Sequence, residues 1–305
     1  MPAKPLAPAS SPPPAAVWPG LLLASAGAIA FSGKAIVAKL MYRHGVDAVQ
    51  VLFWRMLLAL PLFMLLAWWA GRGKPALTRR DLGTVVLLGF TGYYLASFLD
   101  FIGLQYISAS LERLILYLNP TIVLLLGWIV FKRRVTARQL LALAVGYAGV
   151  ALVFGREFSF EGPRAAWGAA LVFGSAVSYA VYLVLSGEAV QRLGSARLSG
   201  LASTVACLFC IGQFFVLRPV AALQVPEPVL WMSLLNATVC TVAPVLMVMM
   251  AIERIGASAA AQVGMVGPMS TLAMGVLILG EPFTPWLAAG TVLVLGGVWL
   301  LTRWR

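Results

Sequence analysis

Ten runs of about twenty mostly apolar residues follow one another along this chain, and a helix needs about that many to cross the ~30 Å hydrocarbon core of a bilayer. They predict spans at 17–41, 48–70, 82–104, 108–131, 137–155, 165–187, 198–217, 229–252, 257–280 and 284–302. Gly, Pro and charged residues punctuate the gaps. Strands of a membrane barrel would show weak ten-residue alternation instead, so an all-α integral membrane protein with ten transmembrane helices is expected. Composition agrees: 61% of the 305 residues are hydrophobic and 10% charged, against about half and about a quarter in soluble domains.

Residues 1–16 are rich in Pro, Ala and Ser and lack apolar periodicity, which predicts a disordered tail. Ala24-Ser25-Ala26 resembles a leader cleavage site, but the apolar run continues past it to spanning length. The formal net charge of +12 follows the insertion rule and does not point to a nucleic-acid partner. One set of alternate loops holds Lys4, Arg72, Lys74, Arg79, Arg80, Lys132, Arg133, Arg134, Arg138, Arg192, Arg197, Arg254, Arg303 and Arg305. The other holds only Lys39, Arg43, Arg156, Arg164 and Arg218. That bias puts both termini in the cytoplasm of a bacterial inner membrane. Cys207, Cys210 and Cys240 stand in apolar runs and His44 is the lone histidine, so neither a metal nor another cofactor is expected.

A shift of 148 residues superposes the two halves without a gap. Ile107, Ala109 and Ser110 meet Ile255, Ala257 and Ser258; Pro120 meets Pro268, Gly127 meets Gly275, and Gly149 meets Gly297. Five spans per half is an odd number, so the second half enters the membrane with opposite orientation. The expectation is two inverted five-helix repeats, 17–155 and 156–305, around a central cavity.

Asn119-Pro120 and Gly267-Pro268 interrupt spans 4 and 9 at equivalent positions. Proline lacks an amide hydrogen, and paired interruptions point to a transporter's binding site. Five charges fall inside spans: Lys34, Arg55, Asp100, Glu112 and Arg113. Each lies roughly 6–12 Å from the outer end of its helix at ~1.5 Å per residue. Asp100 and Arg113, on antiparallel neighbours, reach similar depth and suit a charge pair; Asp100 and Glu112 also suit proton coupling. Glu112 and Arg55 are near enough to the interface to snorkel. Two readings stay open for Lys34: cavity lining, or an outer snorkel or ion pair. The repeat sets Lys34 opposite Tyr182, on a stripe with Ser175, Ser178 and Tyr179. Tyr93, Tyr94, Phe98 and Tyr117 add aromatic surface with polar handles, and Asn236 and Gln262 are further buried polar candidates. Trp18, Trp68, Trp69, Trp128, Trp286, Trp299 and Trp304 read as an interfacial belt.

The run Ile107-Ser108-Ala109-Ser110 through Asn119-Pro120, its second-half counterpart Ile255-Gly256-Ala257-Ser258 through Gly267-Pro268, then Gly280-Glu281-Pro282 and the Gly-rich stretch 289–301 resemble the EamA-type permeases of the drug/metabolite transporter superfamily. The resemblance implies a basket-like bundle whose cavity is lined mainly by spans 1, 3, 4, 6, 8 and 9, and export of amino acids or other metabolites. The chain departs from the pattern at Lys132-Arg133-Arg134, where the second half has Gly280-Glu281-Pro282.

The expected function is transport, in the export direction, of a small organic metabolite by alternating access. Lys34, Tyr93, Tyr117, Asn119, Pro120, Tyr179, Tyr182, Gln262 and Pro268 are the expected substrate-binding residues. Membrane lipid is the expected surround, and the surfaces of Gly146, Gly149 and Gly296-Gly297 suit close helix contact in a homodimer. A lipid-modifying membrane enzyme needs convergent His, Asp, Ser or metal ligands, which are scarce here. A scaffold without transport would have a collapsed cavity, and no charged ring or filter loop suggests a channel.

Overall fold

A computed structural model describes residues 14–132, 136–161, 163–264 and 266–303. Among the described residues all regular structure is helical. The first helices are α1 (Pro14–Tyr42), α2 (Ala48–Gly71) and α3 (Arg79–Gly103). α4 comes in two pieces, Ala109–Leu116 and Asn119–Phe131. Then follow α5 (Ala137–Glu161), α6 (Pro163–Leu193) and α7 (Ser195–Leu217). α8 begins as Glu227–Ala237, passes a π turn at Thr238–Val242 and continues as Ala243–Gly264. α9 (Val266–Leu279) and α10 (Pro285–Arg303) complete the fold. Eight stretches, the last being Glu227–Ile255, are long and apolar enough to cross a membrane, and Val266–Leu279 and Pro285–Leu301 are shorter apolar helices.

The first eight expected spans meet helices of spanning length and the ninth and tenth meet shorter ones, while the expected gap at 253–256 falls within residues that are helical to Gly264; elsewhere the differences are at the ends. α1 starts at Pro14, inside the stretch expected to be tail, and α5 runs on to Glu161, past the expected end at 155. The rest of the tail, together with Arg133, Arg134 and Trp304, lies outside the described residues. Local signals explain several starts. Asp47 and Gln50 form a reciprocal capping box on α2, as do Thr78 and Asp81 on α3. Ser108 Oγ accepts from the Leu111 amide at the start of α4.

α1 runs antiparallel to α8: Gly20 packs on Ile255, Gly27 on Met247 and Val248, and Gly33 on Cys240. A straight helix continuing past Ile255 would carry Gly267 beyond Gly20. Instead Ser32 Oγ donates to the Gly267 carbonyl at 2.7 Å, so the chain reverses between residues 255 and 267. The rest of the packing is as regular. α2 lies on α7, α5 on α10, and α3 on α6.

Contacts recur with both partners moved by 148 residues in opposite senses. The Cβ position of Gly20 meets Ile255 Cγ2, and that of Gly168 meets Ile107 Cγ2. The Cβ position of Gly149 meets the Gly290 carbonyl oxygen, and that of Gly297 meets the Ala142 carbonyl oxygen. The π turns Gly89–Leu95 in α3 and Thr238–Val242 in α8 also stand at equivalent positions. Gly146, Gly149 and Gly297 are thereby used between α5 and α10 of one chain, which removes most of the glycine surface expected to serve a homodimer; Gly296 stays open, with nothing near its Cβ position.

Candidate functional site

A cavity of about 280 Å3 lies where α1, α2, α3, α4, α6, α7 and α8 converge. Irregular backbone shapes it. The π turn of α3 presents Gly92 and Tyr93 to the cavity, and that of α8 presents Thr241; π turns inside helices are frequent at functional sites. α4 breaks at Tyr117–Leu118, just ahead of Asn119-Pro120, so Pro120 falls in the first turn of the second piece, where its missing amide does little harm. Pro120 cannot bond the Leu116 carbonyl one turn back, and Asn119 Nδ2 donates to that carbonyl at 2.8 Å instead. Thr121 Oγ1 donates to the Leu118 carbonyl at 2.6 Å. The break is thus satisfied by its own side chains and leaves Tyr117 and Asn119 lining the cavity.

All five in-span charges are buried. Lys34 Nζ donates to Asp100 Oδ2 at 2.7 Å, while Asp100 Oδ1 has no partner. Arg55 Nε donates to Thr241 Oγ1 at 2.9 Å, and that hydroxyl in turn donates to the Asn236 carbonyl at 2.7 Å. Arg113 Nε donates to Thr271 Oγ1 at 2.9 Å. Glu112, fully buried, lies 4.0 Å from Arg113 Nε, and neither of its carboxylate oxygens has a hydrogen-bond partner. Two phenylalanine rings sit among the cations. Phe31 lies 5.4 Å from Lys34 Nζ and 5.9 Å from Arg113 Cζ; Phe101 lies 5.6 Å from Lys34 Nζ and 5.0 Å from Arg55 Cζ.

Further contacts tie the two ends of the bundle. At the end carrying residues 43–47, Tyr42 Oη donates to the Phe101 carbonyl at 2.7 Å and Arg43 Nη2 to the Leu279 carbonyl at 2.7 Å. Gly280, with φ 74°, ends α9 in the left-handed conformation that glycine tolerates. The Glu281 amide closes onto the Gly275 carbonyl, and its carboxylate accepts from the amides of Ala109 and Ser110 and from Ser110 Oγ at 2.7, 3.2 and 2.5 Å. A carboxylate is favoured at such a helix N-terminus. At the opposite end Lys74 Nζ donates to the Leu193 carbonyl, Arg197 to the Pro75 carbonyl, and Arg192 pairs with Asp81 at 2.6 Å.

The EamA-like transporter family matches this chain twice, over residues 18–155 and 166–303. The chain belongs to that family. It is an EamA-type permease of the drug/metabolite transporter superfamily, a multi-pass membrane protein of small-molecule transport. The "Uncharacterized transporter YcbK" of Bacillus subtilis (strain 168) is 31% identical over 274 residues, covering 86% of each chain. The "Uncharacterized transporter YetK" of the same organism is 25% identical over 292 residues, covering 92% of this chain and 86% of the relative. A solved structure titled "Crystal structure of protein" shares the fold with a TM-score of 0.64 at 15% identity, covering 94% of this chain and 99% of its own.

In this EamA chain the cavity gathers Lys34, Tyr93, Tyr117, Asn119, Tyr179, Asp100 and Arg113 from the expected residues. Tyr182 stands behind them, its hydroxyl 3.2 Å from that of Tyr93 and its ring against Tyr179. Pro120 and Pro268 shape the helices without lining the cavity, and the side chain of Gln262 lies outside the described residues. The expected Asp100–Arg113 pair does not form, because Asp100 is taken by Lys34 and Arg113 turns to Thr271. Snorkelling by Arg55 and Glu112 is also overturned; at 4% and 0% exposure both point inward. α2 and α7 contribute Arg55, Met56, Phe63, Ser203 and Ala206 to the lining, whereas α9 serves from behind through Thr271. Ser203 and Thr241 escaped sequence reasoning, since a lone hydroxyl in an apolar run carries no signal. Their positions opposite Arg55 and Tyr93 in the repeat were the available clue. The tryptophans Trp18, Trp68, Trp69, Trp128, Trp286 and Trp299 are exposed on the outside of the bundle.

Proposed function

We propose that this permease moves a small organic metabolite, amino acids among the expected class, out of the cell across the bacterial inner membrane by alternating access at the central cavity. The observation that carries the reading is the cavity itself: buried charges and tyrosines line one cavity, where polar side chains in a membrane bundle mark a solute path. Lys34, Tyr93, Tyr117, Asn119 and Tyr179 line the binding site, with Tyr182, Pro120, Pro268 and Gln262 as supporting positions. The ten-span, two-by-five inverted repeat over 17–155 and 156–305 is supported by the contacts that recur under the 148-residue shift and by the reversal between residues 255 and 267. Both termini are cytoplasmic on the loop charge bias. Transport is its sole activity; the relatives named transporters support a non-enzymatic role.

Glu112 is the proposed coupling group, with Asp100. A desolvated carboxylate without hydrogen bonds is costly, so its proton is the natural one to be exchanged during a cycle. Uptake and efflux of a mixed metabolite pool in proteoliposomes, read by mass spectrometry with and without a pH gradient, tests the whole reading. Selective movement of one chemical class is expected, accelerated by the gradient in the parent protein and insensitive to it in Glu112→Gln. No movement by folded protein would sink it.

A further inference from the structure

The permease reading leaves the solute's chemistry open, and one side chain narrows it. Arg55 lines the cavity from α2 at 4% exposure, and its guanidinium does not deprotonate in proteins. Among the described residues no carboxylate forms an ion pair with it. Its Nε is spent on the Thr241 hydroxyl and its Nη1 has no partner. A hydroxyl, the face of Phe101 and the field of Asp100 soften the charge, but no carboxylate is bonded to it, and a buried cation without a bonded counter-charge is unfavourable. The two buried acids nearby serve other cations: Asp100 accepts from Lys34 at 2.7 Å, and Glu112 sits beside Arg113.

Resting on the permease reading, we propose that Arg55 is the anchor for a negatively charged group on the transported solute, and that the cavity accepts small organic anions, carboxylates first. The guanidinium fork matches a carboxylate in plane and spacing. Two further lining residues carry buried donors without partners, Arg113 at Nη2 and Ser203 at Oγ. Tyr93, Tyr117, Tyr179 and Leu116 provide a largely apolar wall for the body of the solute. A volume of about 280 Å3 falls just under the ~300–1,000 Å3 of common ligand pockets, so that body is compact. Lys34 is not the anchor, because its ammonium is already neutralised by Asp100.

Thermal unfolding of the purified full-length protein tests this with acetate, butyrate, benzoate and phenylacetate, each set beside its primary amide, and with phenethylamine as a cation. At least one carboxylate should raise the Tm while its amide does not. Arg55→Gln should weaken the apparent affinity for that carboxylate at least about tenfold. Without solute that variant should melt no lower than the parent, since an unbalanced charge has gone. Arg55→Lys, which keeps the charge and loses the fork, should retain a reduced shift and carries the test if Arg55→Gln fails to fold. The proposal is overturned if amides or the amine stabilise as well as carboxylates, if no carboxylate shifts the Tm, or if the shift survives in Arg55→Gln. Vesicle flux separates the two failures. A protein that moves amides or amines but not carboxylates remains a permease with a different solute, whereas one that moves nothing loses the permease reading too.

Discussion

Lys34 and Asp100 are both near-fully buried and joined at 2.7 Å, and breaking such a pair leaves one charge stranded. Asp100→Asn should therefore cost about 3–5 kcal/mol of stability, while the double change Lys34→Met with Asp100→Leu should recover most of it. Thermal or denaturant unfolding in detergent reads both. The sequence singled out all five in-span charges because any charge in an apolar run stands out. It misassigned their partners because sequence proximity favours α3 with α4, whereas Lys34 reaches Asp100 from α1. A long flexible side chain crosses between elements that have no sequence adjacency, and only the assembled bundle reveals that path. Arg55 and Glu112 were misjudged for a similar reason: their depth permits a turn outward, and packing turns them inward.

Among the helices, the turns that end α4 and α9 make a natural experiment. Gly280 and Lys132 occupy equivalent positions and both are left-handed, at φ 74° and 52°. Lysine pays about 1–2 kcal/mol in that conformation, partly offset by glycine's greater freedom when unfolded. Lys132→Gly should raise stability by up to about 1 kcal/mol, seen as a higher Tm. Glu281 supplies three hydrogen bonds to the start of α4, so Glu281→Ala should cost about 1–2 kcal/mol as a lost cap. Gly149→Leu would drive a side chain into the Gly290 carbonyl, only 2.6 Å from the Cβ position. It should destabilise by about 1–3 kcal/mol or more, as overpacking does. The proline interruption in α4 was legible because proline's missing amide writes itself into the sequence. The π turns were not, because Gly89–Leu95 and Thr238–Val242 share no residue type that distinguishes an inserted residue from an ordinary helical one.

For the molecule as a whole, eight apolar spans and the two-copy organisation were legible because lipid imposes length and apolarity, and an unbroken offset preserves register. The placing of α2 and α7 on the cavity was not, since nothing in an apolar run says which side faces lipid. Topology can be tested with the chain's own chemistry. Cys207, Cys210 and Cys240 are free and buried, so the parent protein should resist a membrane-impermeant maleimide. A cysteine added at the C-terminus should label only from the cytoplasmic side, and one replacing His44 only from the other.

Among the described residues the buried charges Lys34, Arg55, Asp81, Asp100, Glu112 and Arg113 belong to the first half and only Arg197 to the second; the first half's Lys34, Arg55, Asp100, Glu112 and Arg113 gather around the cavity. Their counterparts under the 148-residue shift are Tyr182, Ser203, Val248, Ala260 and Ala261. A symmetric frame thus carries a lopsided electric field. Each half crosses the whole bundle and the charges sit toward one end of it, so under the alternating access proposed above the two mouths are not interchangeable. Half-saturation concentrations measured from opposite faces of oriented vesicles should differ, with the maximal rates differing in the same ratio when no gradient drives the carrier, as detailed balance requires.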